Sequence, residues 1–98
     1  MSENKINMAL QVLPQAEGKD SYALVDEAIK IIQDSGLTYQ VCPFETVIEG
    51  NFDELMEVVK EVHQVLEKNG TKKLMTYIKL QTVFQEDVTI DDKMRKYK

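Results

Sequence analysis

Cysteine occurs once in this sequence, at Cys42, histidine once, at His63, and tryptophan not at all. A lone cysteine forms no intrachain disulfide, and one cysteine plus one histidine fall short of the four ligands of a structural zinc site. A thiolate nucleophile would need a base beside it, and nothing in the sequence brings His63 to Cys42. Cys42 follows a β-rich stretch and reads as a small buried hydrophobe. The four glycines form neither a phosphate-cradling loop nor a dinucleotide fingerprint nor a nucleophile elbow, and no motif calls for a cofactor. No apolar run approaches the length of a membrane span, and the opening Met-Ser-Glu-Asn-Lys lacks the apolar core of a secretion signal, so a cytoplasmic location is expected. Positive charge is also scarce. Twelve Lys and Arg against seventeen Asp and Glu leave a net charge of −5, which disfavours a general nucleic-acid role. Only Lys93, Arg95, Lys96 and Lys98 cluster. They suit the last turn of a terminal helix, where cations meet the helix dipole, with a phosphate-binding tail as the alternative.

What is present is an ordinary globular balance of 43% apolar and 30% charged residues in 98 positions, enough for one domain over residues 1–98 with its own core. Residues 5–13 alternate, with Ile6, Met8, Leu10 and Val12 on one side, the period of a strand; Pro14 is expected to end it. Tyr22, Val25, Ala28, Ile29 and Ile32 then fall at helical spacing, behind a cap at Asp20 or Ser21 and ahead of Gly36. Short strands follow in Leu-Thr-Tyr-Gln-Val-Cys and Glu-Thr-Val-Ile-Glu-Gly. Asn51 with Glu54 forms a capping box for a second helix, whose stripe is Phe52, Leu55, Met56, Val59, Val62 and Leu66, widened by Val58 and Val65. Residues 73–81 make a last strand with Leu74, Thr76, Ile78 and Leu80 towards the helices, and Thr89 opens a short terminal helix. The order β-α-β-β-α-β specifies an α+β, ferredoxin-like sandwich: a four-stranded antiparallel sheet, first and third strands central, both helices on one face, plus a short C-terminal helix.

The other sheet face carries Ala9, Leu13, Met75 and Tyr77 among Asn7, Gln11 and Lys79. A face that met only water would be plainly polar. A second copy of the chain is the expected cover, giving a homo-oligomer packed sheet to sheet. Gln11 and Asn7 would be buried there and need partners, and Lys79 shares their position.

Phe-Glu-Thr-Val-Ile-Glu-Gly-Asn-Phe, residues 44–52, brackets a β-forming centre with two carboxylates. Four apart on a strand, Glu45 and Glu49 share a face at about 13 Å, too far for paired acid–base work, so each stands alone. Glu45 reads as a solvated residue past a turn. Glu49, beside Gly50 and the start of the second helix, reads either as an anion at that helix N-terminus or as a ligand contact at the sheet rim, with glycine giving close access. Thr46, three residues away, points to the opposite face of an ideal strand. Ser21 and Tyr22 sit where a helix offers free N–H donors, with capping and core packing as the plainer reading. His63 reads as a half-buried helix residue.

Four stretches, Leu-Gln-Val-Leu-Pro (10–14), the run from Ser21 to Gln40, Pro-Phe-Glu-Thr-Val-Ile-Glu-Gly (43–50) and Thr-Tyr-Ile-Lys-Leu (76–80), resemble the small thiamine-binding protein family over nearly the whole chain. Two positions depart from its pattern: Glu45 stands where relatives tend to carry a small residue, and Gln-Thr-Val-Phe-Gln-Glu-Asp follows the last strand in place of an acidic and basic pair. The resemblance implies a ferredoxin-like protomer, dimers pairing sheet edges, a tetramer of stacked sheets, and non-enzymatic binding of thiamine or its hydroxymethylpyrimidine portion. An aminopyrimidine suits a carboxylate with a hydroxyl or amide, and a thiazolium cation suits acids and aromatic walls. The candidate ligand-binding residues are therefore Gln11, Ser21, Tyr22, Thr46 and Glu49, with Tyr39 and Tyr77 as further groups of the right kind. The competing reading is a structural or regulatory oligomer without a vitamin ligand; an enzyme using Cys42 or His63 ranks behind both.

Overall fold

The structure, a computed structural model, describes residues 4–97. In chain order it contains β1 (Ile6–Gln15), α1 (Ser21–Asp34), β2 (Thr38–Val41), β3 (Thr46–Gly50), α2 (Phe52–Lys68), β4 (Lys73–Gln81) and α3 (Ile90–Met94), the last running into a 3₁₀ turn at Arg95–Tyr97. The sheet order is β2-β3-β1-β4, antiparallel throughout. This is the expected ferredoxin-like architecture with β1 and β3 at its centre. Lys98, grouped in sequence with the basic tail, lies outside the described residues.

Local signals set the element ends. Asp20 caps α1, its Oδ1 accepting from Tyr22 N at 3.0 Å. Asn51 and Glu54 cap α2 reciprocally at 2.8 and 3.0 Å, which satisfies two otherwise orphaned N–H groups. Gly36, at φ 78°, turns the chain out of α1, a conformation that costs glycine least. The inward faces then meet. Ile6, Met8, Leu10, Val12 and Ile48 of the sheet are buried against Leu24, Ala28 and Ile32 of α1 and Leu55, Val58, Val62 and Leu66 of α2. Each large aliphatic side chain withdrawn from water there contributes about 1.5–3 kcal/mol.

Two local expectations fail, for physical reasons. Tyr22 is 82% exposed. The buried line of α1 is Leu24–Ala28–Ile32, and Tyr22 lies about 200° of helical turn from Leu24. Pro14 does not end β1, which continues to Gln15. Gln15 O accepts from Lys72 N at 2.8 Å, so Gln15 directs its polar groups towards β4, and the alternation of strand backbone turns those of Pro14 to the other side. There β3 has already ended, its last partner pair being Leu10 with Thr46. Proline's missing N–H therefore deserts no ladder bond.

The outer face of the sheet is partly covered by the chain's own tail. In one row across the sheet Glu49 pairs with Asn7, and Asn7 with Gln81. Each of the three side chains holds one tail atom. Glu49 Oε1 accepts from Ile90 N at 2.8 Å, Asn7 Nδ2 donates to Val88 O at 3.0 Å, and Lys93 Nζ donates to Gln81 Oε1 at 2.8 Å. Lys5 adds backbone contacts: its O accepts from Val88 N at 2.9 Å and its N donates to Asp87 Oδ1 at 2.9 Å. Val88 and Ile90 are buried at 8% and 9% exposure.

Truncating Leu55, which is fully buried, to Ala should lower the unfolding free energy by about 2–5 kcal/mol, read as a shifted urea midpoint at unchanged slope. Glu49→Ala removes the acceptor of Ile90 N–H. Its expected effect is local: amide exchange at Ile90 rises by about tenfold or more while exchange in the middle of α2 is unaltered.

Candidate functional site

The sequence-nominated residues do not converge. Gln11 and Glu49 share the outer face, four positions apart in the β1 frame because Glu49 pairs with Asn7. Thr46 lies on the opposite face, buried at 6% beside the core, and Tyr39, paired with Ile48, packs against that core as well. Ser21 and Tyr22 are exposed at the start of α1, beyond the Gln15 end of β1. Tyr77 stands opposite Gln11 on the outer face and is half exposed.

Glu49 does meet a helix N-terminus, but that of α3 rather than α2. Gly50 has a packing reason on the helix side, where a Cβ would come within 3.3 Å of Glu54 Oε1 and of Leu37 Cδ1. Cys42 is half-buried, in the link beyond edge strand β2. His63 is exposed and fully engaged at the other edge. The Val59 carbonyl, 2.9 Å from Nδ1, can only accept, so Nδ1 carries a proton, and Nε2 lies 3.1 Å from the Thr76 hydroxyl of β4. No thiol–imidazole pair exists between opposite edges of the sheet. Among the described residues no group of three His, Cys, Asp or Glu side chains is arranged to hold a metal.

Polar groups do assemble beside the clamped tail. A cleft of about 300 Å³ opens on the outer face, floored by Ala9 and Val47 and walled by Asn7, Glu45, Lys79, Gln81 and Lys93. Register creates it: Ala9 pairs with Val47 on one side and Lys79 on the other, one row from Asn7, so two small apolar side chains sit in a depression between charged walls. Glu45 is not solvated as a lone residue; it pairs with Lys79 at 3.4 Å, the side chains being 31% and 75% exposed. A pair so open to water is worth at most about 1 kcal/mol and is easily parted. Lys93 brings α3 into the wall.

Asn7 is the unusual member. Only 3% of it is exposed, its Nδ2 is engaged by Val88 O, and its Oδ1 is buried with no hydrogen-bond partner. Because Val88 O is an acceptor, the nitrogen must face it and the oxygen is left over. An unsatisfied buried acceptor costs about 1–3 kcal/mol. Clefts of about 430 and 530 Å³ lie along the helices, lined by acidic side chains such as the exposed Asp34 and Glu57 and the half-buried Glu61. A cleft of about 260 Å³ beside His63 and Leu74 includes Thr71, whose buried Oγ1 also has no partner, so the outer-face cleft is preferred for its apolar Ala9–Val47 floor set between an acid and lysines.

Sequence alternation placed Asn7, Lys79 and Gln81 on this face, but Lys93 was missed. It carries no local signal, because its place depends on where the tail docks.

Comparison with known proteins gives the fold a lineage. The model of the thiamine-binding protein family matches residues 8–98. A UPF0045 protein of Clostridium perfringens is 34% identical over 92 residues, covering 94% of this chain and 96% of that one. A Bacillus cereus domain of unknown function superposes with a TM-score of 0.93 at 40% identity, covering 98% of this chain and 92% of that one. A Thermotoga maritima protein whose name places it provisionally in thiamine biosynthesis or salvage gives 0.86 at 31% identity, covering 96% and 99%. With a family match across nearly its full length, the chain belongs to the thiamine-binding protein family.

Proposed function

We propose that this protein binds thiamine or a related hydroxymethylpyrimidine compound in the outer-face cleft, without turning it over, as a cytoplasmic homo-oligomer. Family membership supports the ligand class, and one structural observation supports the location: the outer-face cleft has a floor of two small apolar side chains, Ala9 and Val47, and an acid, Glu45, in its wall. A flat heteroaromatic ring suits the Ala9–Val47 floor. A thiazolium cation suits Glu45, which would exchange Lys79 for the ligand. The volume is at the small end of the range for ligand sites, about 300–1,000 Å³.

The oligomer rests on a separate observation. Leu13, Met75 and Tyr77 are 44%, 43% and 48% exposed on the outer face, beyond the reach of the tail. A contiguous apolar area of this kind marks an association surface, and a second sheet is its natural cover. A tetramer made as a dimer of dimers is the form we expect. A purely structural or regulatory oligomer would use the same surface without filling the cleft.

Thiamine at about a hundredfold excess over its dissociation constant should stabilise the native chain by about 2.7 kcal/mol, raising Tm by about 10 °C or more. Glu45→Gln should reduce that shift and Lys79→Met should enlarge it. A Tm unmoved by thiamine and by hydroxymethylpyrimidine would leave the structural reading in possession. Light scattering should return a multiple of the 11.3 kDa protomer mass, and Met75→Asp with Tyr77→Asp should reduce that multiple.

A further inference from the structure

We infer that the outer-face cleft takes its ligand as a phosphate ester: Glu45 meets the ring cation, and Lys79, released from Glu45, joins Lys93 in holding the phosphate. The inference rests on the thiamine reading above and deepens it by naming the ionic form of the ligand. Thiamine monophosphate is the compound that carries both charges.

The argument is one of charge. The chain as a whole is acidic, at −5, yet this cleft is lined by two lysines and a single acid, one positive charge in excess. Free thiamine, itself a cation, would add to that excess. Pairing it with Glu45 also frees Lys79 Nζ, which otherwise lies 3.4 Å from Glu45 Oε1. Two ammonium groups would then face a cationic ligand in a cleft of about 300 Å³. A phosphate monoester carries about −1.5 to −2 at pH 7 and makes both ammonium groups partners through charge-assisted hydrogen bonds. The ring cation takes the carboxylate from Lys79, and the phosphate compensates the lysine displaced.

Lys93 is placed for this role. Of the other tail cations among the described residues, Arg95 is tied to Asp91 and Asp92 and Lys96 stands over the Tyr97 ring. Lys93 instead lines the cleft. Its Nζ donates to Gln81 Oε1 at 2.8 Å, a neutral partner that positions the ammonium without cancelling its charge. That bond uses one of the three N–H donors an ammonium carries. The helix that bears it is held in turn by Glu49 on Ile90 N and Asn7 on Val88 O, so the cation is delivered by a docked element. Lys79 comes from β4 and Glu45 from the entrance to β3, which puts the three charges on three separate elements around the Ala9–Val47 floor.

The test is calorimetry on the full chain in a phosphate-free buffer, comparing thiamine, thiamine monophosphate and inorganic phosphate. The ester should bind about tenfold or more tightly than thiamine, and its advantage should shrink as salt is raised. Inorganic phosphate, lacking the ring, should bind more weakly than the ester. Lys79→Met should act in opposite directions, strengthening thiamine and weakening the ester by about tenfold. Lys93→Met should weaken the ester by a similar factor, and Lys93→Arg, which keeps the charge, should restore it. Simple loosening of the tail would weaken both ligands alike and would not set the two apart. Thiamine binding as tightly as the ester, or an ester preference that survives both methionine substitutions, overturns the inference and leaves the ligand reading intact. Undetectable binding of thiamine and ester alike, or inorganic phosphate binding as tightly as the ester, overturns both.

Discussion

The outer half of this molecule depends on one row of the sheet. Glu49, Asn7 and Gln81 stand side by side across three strands, and each spends a polar group on the C-terminal segment. Removed from water without such partners, a carboxylate and an amide in that row would weigh against the fold. With them, a short helix too small to be stable alone is held on a surface where it buries only Val88 and Ile90. The tail is thus attached chiefly by hydrogen bonds of defined direction, which fixes its position closely even though its apolar contact is small.

The row also explains how a carboxylate comes to lie inside a strand of β-forming residues. Glu49 is buried because a backbone N–H meets it, and Glu45, on the same face at the strand's entrance, stays near the surface with Lys79. The two acids have separate duties. One belongs to the scaffold that positions α3, and the other lines the cleft that α3 helps to enclose. The cleft itself arises where the row of polar clamps gives way to the row of Ala9 and Val47: small residues leave room that larger ones would fill.

Much of this was legible in the residues. Alternation in Ile6–Val12, the Asn51–Glu54 capping box and the helical spacing of Leu55 to Leu66 each carry a physical signature within a dozen positions, and together they specify the topology. The tail's docking carries none. Glu49 and Asn7 are answered by the backbone N–H of Ile90 and the backbone C=O of Val88; every residue has the second group and every residue but proline the first, so no complementary side chain announces the contact. The same limit hid Lys93, whose meeting with Gln81 depends on where the tail docks. Tyr22 misled because several apolar residues in α1 permit more than one stripe, and only the sheet beneath selects Leu24, Ala28 and Ile32. Thr46 and Tyr39 were chemically apt for a ligand but face the core, as strand parity requires.

Pro14 has a bearing on how copies of the chain can meet. Beyond Leu10 the β3-facing side of β1 pairs with no strand among the described residues, and a strand flank of that kind is a template for another chain. Here the flank runs from Val12 to a residue without an N–H, so an incoming strand would find a donor missing at its second step. The chain therefore discourages open-ended ladder growth at the place where its sheet is least closed. The association proposed above would be directed instead to the broad faces and to the true edges at β2 and β4, where it could stop at a fixed number of subunits.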